Sequence, residues 1–80
     1  MIYHVYVLKS LKNGKPYVGF TRKTVQERLQ EHNEGKNTWT RNNGPFVLAH
    51  FEKYYSRKQA LLQEKYLKSG AGRKFLKKFL

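Results

Sequence analysis

Two short runs of β-branched and aromatic residues stand near the start of the chain, Ile2 to Lys9 and Tyr17 to Thr21, on either side of Lys12-Asn13-Gly14-Lys15-Pro16. Residues of this kind fit a pleated, half-buried surface, and Asn-Gly between two such runs signals a hairpin. With Asn13-Gly14 as the two central turn residues, Ser10 is expected opposite Tyr17, Leu8 opposite Gly19 and Tyr6 opposite Thr21. Side chains alternate between the faces of a strand, so Tyr6 and Tyr17 then share one face. Val5, Val7, Val18 and Phe20 form the other, which reads as ordinary core.

The pattern next changes to helical spacing. Thr24-Val25-Gln26-Glu27 has the form of a capping box and opens a helix to about Asn33, with Gly35 as its left-handed stop. Gly35 to Pro45 reads as a polar loop carrying Lys36, Trp39 and Arg41. Phe46 to Tyr55 is the longest predicted strand, and Ser56-Arg57-Lys58-Gln59 is a second capping pattern, opening a helix that runs to about Ser69 and is ended by Gly70. The tail, Arg73 to Leu80, is expected to form a basic helical turn or two with Phe75, Leu76, Phe79 and Leu80 on one side. The predicted order is β-β-α-β-α with a helical tail, an α+β fold in which helices flank a small three-stranded antiparallel sheet.

Composition narrows the partners. Eighty residues make one domain, 1–80, that buries only about 60–65% of the surface its unfolded chain exposes. Seventeen Lys and Arg against five acids leave a net charge of +12, and the isoelectric point is near 10.2. That points to a polyanion, and first to nucleic acid, because neutralising phosphates releases counterions and supplies most sequence-independent affinity. An anionic membrane surface, met by the tail, is the weaker alternative. The absence of cysteine removes disulfides, thiolate metal sites and thiol nucleophiles, and suits a reducing compartment. The chain enters a strand directly after Met1 and has no apolar run near the roughly 20 residues of a membrane span, so a soluble, cytoplasmic monomer is expected.

The candidate chemistry lies on the inward faces. Arg28 and His32, one turn apart, fall beside Val25 and Leu29, whereas Glu27, Glu31 and Glu34 fall on the opposite side of that helix. They suit a phosphate held against the sheet; equally, they suit an Arg stem packed at the core edge and a satisfied histidine. Glu64 sits within the stripe of Ala60, Leu61 and Leu67. A carboxylate so placed needs a metal, several hydrogen bonds or an ion pair with Arg28 or a lysine. There is no aspartate, and the only carboxylates are Glu27, Glu31, Glu34, Glu52 and Glu64. Taken singly, Tyr6 and Tyr17 read as core.

Taken in order, His4-Val5-Tyr6, Tyr17-Val18-Gly19 across a short turn, Arg28 with His32 on one helix and Glu64 on a later one resemble the GIY-YIG nuclease superfamily. The likeness covers nearly the whole chain and is greatest to small stand-alone bacterial members, which share the module with the nuclease subunit of nucleotide excision repair. Glu31-His32-Asn33-Glu34-Gly35 and Gln63-Glu64-Lys65 add to it. The first motif has His4-Val5 where the family name has Gly-Ile. The Asn that many members carry beyond the metal-binding Glu has no counterpart after Glu64, leaving Asn33 and Asn42 as candidates to replace it.

The resemblance implies hydrolysis of a DNA phosphodiester bond with a single Mg²⁺ or Mn²⁺, structure-selective and linked to repair or recombination. In that scheme Glu64 is the metal ligand, Tyr17 the base or water-orienting group, and Arg28 the clamp on the scissile phosphate. Tyr6 and His32 hold the nucleophile and assist proton transfer, and Gly19 completes the second motif. The lack of Asp agrees with one ion, since two-metal sites gather several carboxylates around ions about 4 Å apart. Lys15 is placed to assist Tyr17. Lys36, Trp39, Arg41, Arg57, Lys58, Arg73, Lys74, Lys77 and Lys78 are candidates for nucleic-acid contact, with Trp39 suited to stacking on an unpaired base. A basic nucleic-acid-binding module that keeps this fold without cutting is the alternative function.

Overall fold

The computed structural model describes residues 1–80. In chain order the elements are β1 (Tyr3–Ser10), β2 (Pro16–Thr21), α1 (Val25–Asn33), α2 (Thr38–Asn43), β3 (Phe46–Tyr54), α3 (Arg57–Leu67) and α4 (Gly70–Leu76). The strands form one antiparallel sheet in the order β2-β1-β3, and helices pack on both of its faces. This is the expected α+β architecture with two helices added or redrawn.

The hairpin register differs from the expected one by two residues. Leu8 faces Tyr17, Tyr6 faces Gly19 and His4 faces Thr21. The tight turn expected of Asn13-Gly14 needs positive φ at both central residues, and only Gly14 has it, at 75°. Instead the Gly14 N–H donates to the Ser10 carbonyl at 2.9 Å. The buried Ser10 hydroxyl accepts from the N–H groups of Lys12 and Asn13 at 3.1 and 3.2 Å, which closes a longer loop. A shift of two leaves every side chain on its own face. Tyr6 and Tyr17 therefore do lie on the same side.

Each face of the sheet has its own core. Val5, Val7 and Val18 pack under Ala60 and Leu67 of α3 and Leu76 of α4. On the other face Tyr6, Leu8 and Phe46 pack against Val25 of α1, with Tyr17, Leu29 and Leu48 at the margin. The helix starts follow the caps. Thr24 Oγ1 accepts from the Glu27 N–H at 3.2 Å and Ser56 Oγ from the Gln59 N–H at 3.3 Å. Gly35, with φ of 76°, terminates α1 as expected.

The segment expected to be a polar loop contains α2. Asn37 caps it by accepting from the N–H groups of Trp39 and Thr40, at 2.9 and 3.3 Å. Trp39 lies between Tyr17 and Phe46, with ring centroids 5.5 and 5.8 Å away, and Thr40 is buried. The Asn33 side chain bonds both backbone groups of Phe46, at 2.7 and 3.2 Å, so its amide is committed to joining α1 to β3. Asn33 is thereby removed as a replacement for the late asparagine.

Gly70 begins a helix instead of only ending one. Ser69 accepts from the Gly72 N–H at 3.2 Å and caps α4, which folds back on the end of α3. Gly72 is buried there, and a Cβ on it would overlap the Tyr66 carbonyl and the Leu67 Cα. Backbone cannot swing aside as a side chain can, so Gly72→Ala is expected to cost roughly 1–3 kcal/mol of stability, read as a lower denaturant midpoint. The apolar side of the tail is largely used in packing. Leu76 is core, Phe75 lies 5.9 Å from the His50 ring, and Phe79 stacks on His50 at 4.5 Å. No helix is long and apolar enough to cross a membrane.

Candidate active site

Tyr6 belongs to the central strand, and its ring lies across Gly19, its partner on β2. A Cβ at Gly19 would fall well inside contact distance of the Tyr6 Cζ and hydroxyl, so the ring occupies space that only glycine leaves open. From above, α1 brings down Arg28 and His32. The Tyr6 hydroxyl is 2.9 Å from His32 Nε2 and 3.3 Å from Arg28 Nε, and Arg28 Nη2 is 3.3 Å from His32 Nε2.

Those contacts assign the protons. A guanidinium only donates, so His32 Nε2 accepts and its ring proton sits on Nδ1, a buried atom with no partner. The Tyr6 oxygen accepts from Arg28 and donates its own proton to His32. Burial, and then the Arg28 charge, lower the His32 pKa, consistent with a neutral ring. Burial raises the Tyr6 pKa and outweighs the hydrogen bond from Arg28, so the phenol keeps its proton. For Arg28, burial opposes the charge but hydrogen bonds to Glu31 and Tyr6 outweigh it, raising its pKa.

Glu31 was expected on the outer side of α1. Instead it accepts from Arg28 at 2.8 Å and pairs with Lys23 at 2.7 Å. Lys23 first, and then Arg28, hold its carboxyl down to about 2. The sequence carried a signal for this, since residues three apart on a helix are neighbours and Arg28 and Glu31 have opposite charge. The pairing fixes one edge of the guanidinium while the other meets Tyr6 and His32.

Tyr17 stands beside them, its ring 4.7 Å from that of His32 and 6.4 Å from that of Tyr6. Its hydroxyl, unlike that of Tyr6, makes no hydrogen bond within the protein. Glu64 arrives on α3, which covers the face of the sheet opposite α1. It forms no ion pair with Arg28. Its partner is Lys68, 3.4 Å away. The structure thus joins Tyr6, Tyr17, Arg28 and His32 directly, while the Glu64 carboxylate meets Lys68 on α3.

The His32 shift has a measurable consequence. Its pKa is depressed in the folded chain, so as pH falls below about 6.5 the unfolded chain takes up that proton first. The His32 contribution to stability is present above that pH and is lost as pH drops toward the folded-state value. Thermal melts across pH about 5–8 should show this decline, and His32→Gln should flatten it.

The donor set bears on a metal. No three His or acidic side chains converge in the structure. Of the three half-buried carboxylates, Glu31 is held by Lys23 and Arg28, and Glu52 is engaged by His50 Nε2 at 2.7 Å, by the Tyr54 hydroxyl and by Gln63. The third, Glu64, meets only Lys68. One carboxylate suits an ion of the Mg²⁺ kind, which keeps several waters and takes its remaining ligands from phosphate.

The basic residues are dispersed. Lys15 and Arg73 line a groove that Trp39 also lines, next to Tyr17. Arg57 lies over the Phe20 ring at 6.0 Å, on the α3 side of the sheet, and Arg41 donates to the Gly35 carbonyl at 3.2 Å. Lys36, Lys58 and Lys74 are exposed and pair with no carboxylate.

Residues 2–77 match the family model described as the GIY-YIG catalytic domain. The chain belongs to the GIY-YIG family. That membership makes it a nuclease domain acting on nucleic acid, in a family whose nucleases generally use a divalent metal. Among relatives, it is 38% identical over 64 residues to a UPF0213 protein of Halobacterium salinarum, covering 79% of this chain and 80% of that one. A UPF0213 protein of Clostridium perfringens is 35% identical over 66 residues, 81% of this chain and 69% of that one. The solution NMR structure of a UPF0213 protein from Bacillus halodurans is similar in fold, with a TM-score of 0.58 and 33% identity over 95% of this chain and 82% of that one. It is therefore a GIY-YIG domain similar to these UPF0213 proteins.

Proposed function

We propose that this chain, one domain acting as a monomer in the cytoplasm, is an endonuclease that hydrolyses DNA phosphodiester bonds with one Mg²⁺ or Mn²⁺ ion. The observation that carries the proposal is the contact chain from Arg28 through the Tyr6 hydroxyl to a neutral His32, with the partnerless hydroxyl of Tyr17 beside it. Arg28, its charge secured by Glu31, binds the scissile phosphate and stabilises the negative charge that develops there. Tyr17 orients the attacking water, whose proton passes toward Tyr6 and His32; His32 Nε2, the acceptor in this network, receives it. Water's oxygen forms the new bond to phosphorus as the bond to the leaving sugar oxygen breaks, and that oxygen takes a proton from solvent. Glu64 would hold the cation, which would supply charge neutralisation and a more acidic water.

Exposed cations contact phosphates without reading sequence, which supports selection by DNA structure and a place in repair or recombination. The test is incubation with supercoiled, single-stranded, flapped and branched DNA, with Mg²⁺, with Mn²⁺ and with chelator. Metal-dependent cutting is expected on at least one substrate. No cutting by the wild type, or equal cutting by Glu64→Ala, overturns the proposal, and salt-sensitive binding without cutting makes the chain a binding module instead.

A further inference from the structure

Two depressions, of about 330 and about 510 Å³, lie side by side and share Pro16, Trp39, Arg73 and Leu76. They make one groove between β2, α2 and α4. Each volume falls within the roughly 300–1,000 Å³ of small-ligand sites. Tyr17 lines the smaller depression, so the groove continues directly from the tyrosine cluster. Its floor is apolar, and the charged residues along it are Lys15, Lys68, Arg73 and Lys77, with no carboxylate among them. Trp39, although packed between Tyr17 and Phe46, is still 36% exposed there.

An apolar floor with cations beside it complements a flat, uncharged ring attached to phosphate. A base inside a duplex shows only its edges, which need several hydrogen-bonding partners; the Pro16 and Leu76 side chains offer none and Trp39 only its indole N–H. A base out of the stack offers its face, which an aromatic side chain accepts without regard to base identity. We propose that this groove binds one unpaired nucleotide of the DNA strand being cut, its base against Trp39 and its phosphates on Arg73 and the neighbouring lysines. The identity of the strand rests on the nuclease assignment above.

Trp39 is the only tryptophan, so its fluorescence reports on the groove. The full chain, without divalent metal, is titrated with oligothymidylate, an abasic oligonucleotide of equal length and a hairpin duplex. Quenching by oligothymidylate, several-fold stronger than by either control, is expected. Arg73→Ala, an exposed change, should weaken oligothymidylate binding and lower its salt slope by about one. Trp39→Leu should weaken it roughly 5–100-fold in an anisotropy titration with a labelled oligonucleotide. Lys53→Ala, distant on β3, should change nothing. Equal quenching by all three ligands, or unchanged binding in Arg73→Ala, overturns the proposal. Quenching is read without cutting, so its loss in a chain that still cuts removes only this subsite, and cutting lost with quenching intact removes only the nuclease reading.

Discussion

Glu64→Gln is expected to lower metal-dependent cleavage roughly 10²–10³-fold, the scale of removing one group that stabilises developing charge, while DNA affinity stays equal or rises. The amide keeps the size of the carboxylate and removes its charge. Little structure depends on that charge, since the side chain is half-buried and its one ion pair, with Lys68, is a surface pair four residues along a helix. Such a pair contributes at most about 0.5 kcal/mol. Removing one of five carboxylates from a chain of net charge +12 also strengthens its attraction for phosphate. Binding and cutting should therefore move in opposite directions. Parallel loss of both would mean that Glu64 acts through the fold, and wild-type cleavage would mean that this carboxylate takes no part.

Much of this arrangement was legible in the sequence wherever local chemistry and burial agree. Thr24 and Ser56 mark helix starts because their hydroxyls accept from backbone N–H groups three residues on, and both do so. Arg28 and His32 were placed correctly by helical spacing, since the stripe of Val25 and Leu29 fixes which side of α1 faces the sheet. The errors arise where a distant contact overrides a local preference. Thr38–Asn43 is poor in helix formers, and it is helical because Asn37 caps it, Thr40 is buried and Trp39 docks between Tyr17 and Phe46. Gly70 reads as a stop, yet Ser69 can cap a following helix only because Gly72 admits the close approach of α3. The hairpin slipped by two because Ser10, a polar residue at a buried strand end, organises the loop with its side chain.

The site repeats that division. Side-chain alternation is enough to put Tyr6 and Tyr17 together, because a two-residue slip preserves faces. The role of Glu31 depends on which way Arg28 turns, which spacing does not fix. Glu64 lay outside any single-face argument, since α3 covers the sheet from the side opposite α1. Its helix packs on β1 and β2, the two strands that carry Tyr6 and Tyr17.

Gly19→Ala is expected to lower cleavage by about 10²-fold or more, as a misplacement of reacting groups by about 1 Å does, without replacing any ionisable group. The new methyl would overlap the Tyr6 Cζ and hydroxyl. Tyr6 is only 1% exposed and is hemmed in by Leu8, Val25 and His32, so its ring has no vacant direction in which to turn. Relief requires the ring to lift or the strand to shift, and either movement draws the hydroxyl away from His32 Nε2 and Arg28 Nε. Arg28, keeping Glu31 and His32, then loses the Tyr6 contact that holds its Nε. The accompanying loss of stability should be about 1–3 kcal/mol, with the secondary structure retained in circular dichroism. A double substitution separates strain from chemistry. Combining Gly19→Ala with Tyr6→Leu removes the overlap, so stability should recover relative to Gly19→Ala alone, a coupling visible in a double-mutant cycle. Cleavage should not recover, because the hydroxyl that links Arg28 to His32 is gone. Full cleavage by Gly19→Ala would show instead that the Tyr6 hydroxyl can leave its place between Arg28 and His32 without cost to the reaction.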